Sequence, residues 1–267
     1  MDKFGFIGCG NMGGALVSAS AKVLLGEQIM LCDAFGAKAE ELAAKHGAKV
    51  TDAKNLAERC NYIFLGVKPQ GFEALFEEIR PILTARKDDF VLISMAAGIT
   101  ISAVEKMAGC APAVIRIMPN TPVSVGEGMI LYASNSKTSD QQIEAFKKAL
   151  SYAGALDALP EDKIDAASAL SGCGPAFVYM FAEALADGAV ECGLPRDKAM
   201  LYAAQTLLGS AKLLSESGKH PGQLKDAVCS PGGTTIAGVH ALEDGAFRSS
   251  AMNAVKKAYD RTVELKK

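Results

Sequence analysis

The chain has 267 residues, of which 49% are hydrophobic and 22% are charged, a composition typical of a globular protein with one large domain or two modest ones. Its net charge of −2 gives no electrostatic basis for binding nucleic acid or an anionic membrane. The N-terminal apolar run breaks at Gly8 and is too short for a signal peptide. We expect no apolar stretch to be long enough to span a bilayer.

The cysteines and histidines indicate a cytoplasmic protein without a metal site. The seven cysteines are irregularly spaced and form no C-x-x-C pair, which is typical of reduced thiols. The three histidines, His46, His220 and His240, are far apart and lack the spacing of metal ligands.

The first half of the chain alternates short apolar runs with helix-length connections. Runs that predict strands occupy residues 4–7, 28–32, 48–50, 61–67, 90–94, 113–117 and 128–132. Helical patterns over 14–25 and 38–46 separate the first three runs. This alternation predicts βαβ units and an α/β Rossmann fold, which is a doubly wound, mostly parallel sheet.

After about residue 160 the sequence predicts only helices. Their patterns cover residues 164–170, 175–193, 195–217 and 246–265. Pro195 suits the first position of its helix, and Gly218 suits the C-terminal stop. The stretch 200–214 is apolar on more than one face, which predicts burial against a second subunit. We therefore expect a Rossmann domain over 1–160 and an all-α dimerisation domain over 161–267.

A glycine motif follows the first predicted strand and opens a helix. Gly8, Cys9, Gly10, Asn11, Met12 and Gly13 fit the G-x-G-x-x-G pattern. Gly8 would make the turn, Gly10 would let the backbone approach a pyrophosphate, and Gly13 would allow close helix–strand packing. The motif predicts dinucleotide binding through Gly8, Gly10, Asn11, Met12 and Gly13. The alternative is a glycine turn without a ligand.

Asp33 ends the second predicted strand, where a carboxylate typically accepts hydrogen bonds from the adenosine ribose of NAD and repels a 2′-phosphate. The alternative is a solvated turn residue. Lys38, one helical turn further on, could still meet a phosphate. Asp33 therefore favours NAD over NADP without deciding between them.

Three more turns end strands at the edge where doubly wound sheets bind ligands. Lys68 precedes Pro69 in the first turn, and its side chain could bind phosphate or simply point outward. The small residues Ala97 and Gly98 follow the next strand and leave room for a flat ring. Asn120, between two prolines, could bond a carboxamide or ribose, or could form an Asx turn.

The segment Ser230–Thr235 is a polar glycine corner between helical patterns. Gly232 and Gly233 permit close backbone approach, and Thr234 and Thr235 offer hydroxyls and N–H groups at a predicted helix start. Such a corner can hold a small carboxylate without a charged side chain, although Thr234 could instead be a plain N-cap. No Ser-His-Asp or Cys-His arrangement is visible, and an imine reduced by a nicotinamide cofactor needs none.

Together these motifs resemble the Δ1-pyrroline-5-carboxylate reductase family over nearly the whole chain. The matching segments are Gly8–Gly13, Val67–Pro69, Ala96–Gly98, Met118–Pro122, Ser171–Ala176, His220–Asp226 and Ser230–Thr235. The resemblance implies reduction of pyrroline-5-carboxylate to proline with NADPH or NADH. It also implies a homodimer with interlocked C-terminal helices, and larger rings of dimers occur in the family.

The resemblance also implies roles for individual residues. Gly232, Gly233 and Thr234 would hold the substrate carboxylate, and Thr235 would hydrogen-bond the ring nitrogen as the catalytic residue. The nicotinamide side would be lined by Val67, Lys68, Pro69, Ala97, Gly98 and Asn120. Asn55 is a looser match to an asparagine near the adenosine ribose.

Two departures from the family pattern and two alternatives remain. Cys173 stands where the family commonly has serine, and the turn Asp33-Ala34-Phe35 lacks the Arg or Ser/Thr cluster that often follows the second strand. A β-hydroxyacid dehydrogenase shares the two-domain plan but uses a lysine acid/base, for which Lys198, Lys212 and Lys225 carry no matching signature. A dinucleotide-binding protein without turnover is the second alternative.

Overall fold

The computed structural model describes residues 1–264. By packing, the chain divides into two compact units. The first unit contains Met1–Gly172 together with the chain from Tyr259 onward, and the second unit is Cys173–Ala258. This division falls later than the boundary predicted near residue 160, because a helix at Ile164–Ser171 packs on the sheet of the first unit.

The first unit is built on one sheet, and its strand order is that of a doubly wound fold. The strands are β1 Phe4–Ile7, β2 Ile29–Cys32, β3 Lys49–Val50, β4 Tyr62–Leu65, β5 Val91–Ser94, β6 Ala113–Pro119, β7 Gly128–Ser134 and β8 Gly154–Ala158. They lie in the order β3-β2-β1-β4-β5-β6-β7-β8, and every neighbouring pair is parallel except β6 with β7. The predicted α/β Rossmann class is confirmed.

The first six helices of this unit lie between successive strands, and the seventh follows β8. They are α1 Asn11–Ser20, α2 Gly36–His46, α3 Ala53–Arg59, α4 Phe72–Ala85, α5 Ile101–Ala108, α6 Asp140–Ala149 and α7 Ile164–Ser171. Helix α1 begins earlier than the predicted residue 14, because the glycine loop itself forms its N-cap. Strand β8 was not predicted, since its short sequence carries Asp157 and its side chains are largely exposed.

Aromatic pairs hold the centre of the sheet, where the strand order reverses between β1 and β4. The parallel register sets Phe4 beside Tyr62 and Phe6 beside Phe64. Their rings stack at centroid distances of 4.6 Å and 4.4 Å. Stacked aromatic pairs contribute about 0.5–1.5 kcal/mol each beyond the area they bury. The glycine loop therefore directly follows a strand that is held firmly in the core by these stacked rings.

The second unit is all-helical, as predicted. Its helices are α8 Gly174–Glu191, α9 Arg196–Ser217, α10 Pro221–Val228, α11 Thr234–Asp244 and α12 Phe247–Glu264, the last of which continues into the first unit. Residue 265, the predicted end of the last helix, lies outside the described residues. Helix α9 starts after Pro195, which is its N-cap rather than its first residue, and ends at Gly218 in the left-handed conformation.

Helix α9 leaves its apolar side chains uncovered within one chain. Leu201 and Leu208 are 58% and 59% exposed. The described core of this unit consists of Ala186, Ala199 and Ala203 with a few half-buried neighbours. A helix that is apolar on several faces and exposed on them is typical of a protein interface.

By length and apolar composition alone, the helical stretch Glu161–Glu191 qualifies as a candidate membrane span among the described residues, which corrects our expectation that no stretch would. The stretch is interrupted between Ser171 and Gly174. Its start also carries Glu161 and Asp165, which pair with a buried arginine. An exposed apolar helix that a partner chain covers passes the same test of composition.

Candidate active site

The glycine loop after β1 has the geometry of a pyrophosphate cradle. Gly8 has a φ of +101°, and a Cβ there would lie 2.6 Å from the carbonyl of Gly66. A Cβ at Gly13 would overlap the carbonyl of Gly8, whereas a Cβ at Gly10 would meet no atom within 4 Å. Gly10 is also the N-cap of α1, with no side-chain cap. The backbone at Gly10 is therefore open at the N-terminus of α1, and a helix N-terminus attracts anions.

Asp33 fastens the glycine loop to the end of β2. Its Oδ2 accepts a 2.6 Å hydrogen bond from the N–H of Cys9, and its Oδ1 accepts one of 2.7 Å from the N–H of Phe35. Each carboxylate oxygen has a further lone pair, so the group can still accept bonds from ribose hydroxyls. Asp33 is therefore not the plain solvated turn residue considered as its alternative.

The two thiols beside Asp33 are not nucleophiles. Burial, followed by the charge of Asp33, raises the pKa of Cys9 to about 12. Burial also raises the pKa of Cys32 to about 11, with smaller contributions from the carboxylates of Glu78, Asp52 and Asp33. Because the thiolate is the reactive form, both residues are inert near neutral pH.

Asn55 has an unused acceptor at the same end of the sheet. Helix α3 begins after Asp52, whose side chain accepts a 2.8 Å hydrogen bond from the N–H of Asn55. The side-chain Oδ1 of Asn55 is buried without a hydrogen-bond partner. A buried unsatisfied acceptor is costly, and a ribose hydroxyl could satisfy it. The open loop and this acceptor both fit a dinucleotide.

The turns after β4 and β5 contain the residues that we expect to line the nicotinamide. Gly66 donates a 2.7 Å hydrogen bond from its N–H to the carbonyl of Ile7, which fastens the end of β4 beside the glycine loop. Val67 is half-buried, whereas Lys68 and Pro69 are exposed and begin a short 3-10 turn. Ala97 and Gly98 are also exposed, and Gly98 has a φ of +80°. These residues lie at the carboxyl edge of the sheet, and their contact with cofactor stays a prediction.

Asn120 is held in a fixed pose by hydrogen bonds to distant residues, not by the Asx turn considered as its alternative. Its side-chain amide donates to the carbonyl of Ser171 at 2.9 Å, and its side-chain oxygen accepts from the N–H of Met129 at 2.8 Å. The residue is 9% exposed. Asn120 therefore joins the ends of β6 and α7 to the start of β7. A contact with cofactor would have to be shared with these two bonds.

Arg116 is a buried charge whose role the sequence analysis missed. It is 1% exposed, and its two terminal nitrogens lie 3.2 Å from Glu161 and 3.0 Å from Asp165. Glu161 also accepts a 2.8 Å hydrogen bond from the N–H of Ile101, the first residue of α5. The network thus joins β6, α5 and α7 just below the turns at Gly98 and Asn120. A lone arginine within an otherwise apolar strand was the available signal.

In the second unit, the corner Ser230–Thr235 closes before α11. The N–H of Gly233 donates to the carbonyl of Ser230 at 3.0 Å, and Gly232 has a φ of +66°. Gly233 is the N-cap and has no side-chain cap, so Thr234 is the first helical residue rather than the cap. Thr234 and Thr235 are both exposed. The uncapped N–H groups and the two hydroxyls suit a small carboxylate.

A doubly wound sheet with an open glycine loop, followed by a helical unit with an uncapped glycine corner, is the arrangement of a dinucleotide-dependent oxidoreductase. Comparison with known proteins agrees. The protein-family model described as pyrroline-5-carboxylate reductase dimerisation matches residues 161–265. A model described as NADP oxidoreductase, coenzyme F420-dependent, matches residues 3–98.

Relatives match over the full length. A pyrroline-5-carboxylate reductase of Methanosarcina acetivorans is 39% identical over 99% of this chain and 98% of its own length. The structure of the Coxiella burnetii pyrroline-5-carboxylate reductase is 33% identical with a TM-score of 0.92, covering 100% of this chain and 99% of that one. A Plasmodium falciparum pyrroline carboxylate reductase, solved with NADP bound, is 31% identical with a TM-score of 0.85 over 100% and 98%. This chain belongs to the pyrroline-5-carboxylate reductase family.

Proposed function

We propose that this protein reduces the imine of 1-pyrroline-5-carboxylate to L-proline with NADH or NADPH. The observation that carries the proposal is the uncapped corner at Gly232–Thr235, which offers a small carboxylate backbone N–H groups and hydroxyls but no charged side chain. A cyclic imino acid has a single carboxylate, which can accept hydrogen bonds from the backbone N–H groups, and a ring nitrogen, which can hydrogen-bond to a hydroxyl.

The chain's own residues bind and orient, while the bound cofactor supplies the hydride. Gly8, Gly10, Asn11, Met12 and Gly13 would hold the pyrophosphate at the start of α1. Asp33 and Asn55 would bind the adenosine ribose. The turns after β4, β5 and β6 would contact the nicotinamide through Val67, Lys68, Pro69, Ala97, Gly98 and Asn120.

At the second-unit corner, the backbone of Gly232, Gly233 and Thr234 binds the substrate carboxylate. The hydroxyl of Thr235 accepts a hydrogen bond from the ring nitrogen, which arrives protonated. A protonated imine carbon is already electrophilic, so the reduction needs no acid residue in the chain. Thr235 is therefore the catalytic residue of the proposal, because it alone contacts the reacting C=N group.

We also propose that two copies form a homodimer with interlocked C-terminal helices, and that a partner subunit completes the substrate site. The exposed leucines of α9 support this arrangement. We assign dinucleotide binding to a functional domain over residues 1–160, and dimerisation and substrate binding to a domain over 161–267. The dimers can assemble further into a ring. We also propose a cytoplasmic location, which the seven free cysteines support because thiols stay reduced there.

The experiment is a steady-state assay that follows NADH and NADPH oxidation separately. Pyrroline-5-carboxylate is the substrate. Pyrroline-2-carboxylate is the control, because it has the same ring with the C=N bond at a different position relative to the carboxylate. We expect turnover with the first imine and little with the second. Comparable rates on both imines would refute the substrate assignment. Oxidation of a hydroxyacid without imine reduction would favour a β-hydroxyacid dehydrogenase instead.

A further inference from the structure

Phe35 is an exposed aromatic side chain on a fixed backbone. At 75% exposure it is the most exposed aromatic residue in the described part of the chain. Its N–H donates to Oδ1 of Asp33 at 2.7 Å, and its carbonyl accepts from the N–H of Lys38 at 3.0 Å. The ring is therefore exposed to solvent on a backbone whose N–H and carbonyl are both hydrogen-bonded.

The surroundings of Phe35 leave the ring accessible. Ala34, Gly36 and Ala37 flank it in sequence, are themselves exposed and carry little or no side chain. The ring belongs to neither core cluster of the first unit. An exposed phenylalanine contributes nothing to the core, so packing within the unit does not explain it.

The position of Phe35 is the adenosine end of the dinucleotide site. It follows β2 by two residues beyond Asp33, which is bonded to the glycine loop at Cys9. The chain after β3 runs alongside, because Thr51 donates a 2.9 Å hydrogen bond to Leu31 of β2. That chain leads directly to Asn55 and its unused acceptor. In a doubly wound fold the acidic residue after β2 holds the adenosine ribose, and adenine is attached to that ribose.

We infer that Phe35 is a stacking platform for the adenine ring of the cofactor. The inference rests on the proposed function only in requiring that a dinucleotide binds. Stacking needs a flat accessible face and makes no use of charge, so Phe35 strengthens binding of NADH and NADPH equally. In this it differs from Asp33, whose charge distinguishes the two cofactors.

The test is isothermal titration calorimetry of the full-length protein, with no imine present. The probes are NADH, ADP-ribose, which carries the adenine half, and reduced nicotinamide mononucleotide, which lacks it. We expect Phe35→Ala to raise the Kd for NADH and for ADP-ribose roughly tenfold and to leave the Kd for the mononucleotide unchanged. Phe35→Tyr keeps the flat ring and should bind all three probes as the native protein does.

Tyr152→Ala is the matched control, since it removes another exposed aromatic ring of the first unit, and we expect no change. An unchanged Kd for ADP-ribose in Phe35→Ala would overturn the inference. So would an equal loss for the mononucleotide, which would indicate a general distortion, or a failure of the native protein to bind ADP-ribose. If NADH binds through Phe35 but no imine is reduced, the proposed function fails and the platform stands.

Discussion

The backbone N–H of Cys9 donates a 2.6 Å hydrogen bond to Oδ2 of Asp33. This bond joins the glycine loop after β1 to the turn after β2, and the other carboxylate oxygen holds the N–H of Phe35. One side chain therefore fixes the two backbone segments between which the adenosine ribose would lie. Asp33 therefore has a structural role in shaping the loop, and we propose that its charge also selects the cofactor.

Asp33→Asn should weaken NADH binding and shift the preference toward NADPH. The amide keeps one acceptor oxygen, but it loses the negative charge and cannot accept the second backbone bond. A hydrogen bond to a charged group contributes about 1.5–3 kcal/mol, so we expect kcat/KM for NADH to fall roughly tenfold or more. The measurement is the ratio of kcat/KM for NADH to that for NADPH.

Asp52→Asn provides the control for this ratio. Asp52 is a neighbouring carboxylate at the N-cap of α3, where asparagine serves about as well. It should leave the ratio nearly unchanged. If both variants shift the ratio equally, the charge of the whole region selects the cofactor, and the specific role of Asp33 is wrong.

Arg116→Met should destabilise the first unit by about 3–5 kcal/mol. It removes the cation that pairs with Asp165 and Glu161 while both carboxylates stay in place. Because the chain has no tryptophan, urea unfolding is best followed by circular dichroism at the helix band. Arg196→Met removes a surface pair with Asp187 and should cost no more than about 1 kcal/mol. Equal losses in the two variants would show that the buried network is not important for stability.

The central strands were predictable because they are buried on both faces. Continuous apolar runs identify β1, β4 and β5 to within two residues, and the position of Asp33 after β2 follows from the same pattern. The glycine corner at Gly232–Gly233 was equally visible, because the left-handed backbone at Gly232 favours glycine. Local sequence is sufficient where the physical requirement is local.

The remaining features depend on contacts between distant residues. Arg116 and Asp165 are 49 positions apart, and Asn120 and Ser171 are 51 apart, so neither pairing could be predicted from spacing. Strand β8 has no β-branched or aromatic residue that would predict a strand, and its pairing with β7 depends on the sheet already formed. The exposed apolar faces of α9 are not covered within this chain, and we propose that a second copy covers them.

Thr235→Ala should lower kcat/KM for the imine by roughly tenfold or more, the value of about one hydrogen bond to a charged group. Steady-state rates with pyrroline-5-carboxylate measure this loss, and the Kd for NADH should not change. Thr235→Ser keeps the hydroxyl and should recover most of the activity. Unchanged turnover in the alanine variant would remove Thr235 from the mechanism.

The double variant Leu201→Glu and Leu208→Glu should convert the assembly to monomers. These side chains lie two turns apart on α9 and are exposed in the single chain, so charges there would oppose burial against a partner. Sedimentation velocity reports the mass. Leu25→Glu changes an exposed leucine of the first unit and should leave the assembly intact. A double variant of native mass would place the dimer contact elsewhere.

The most direct test of the proposed function is the identity and amount of the product. The purified native protein is incubated with NADH and pyrroline-5-carboxylate, and the mixture is analysed by proton NMR together with absorbance of the reduced cofactor. We predict one L-proline formed for each NADH oxidised, and neither change without the enzyme. Oxidation of NADH without proline, or saturable binding of NADH and imine with no turnover, would contradict the proposal that this chain is an imine reductase.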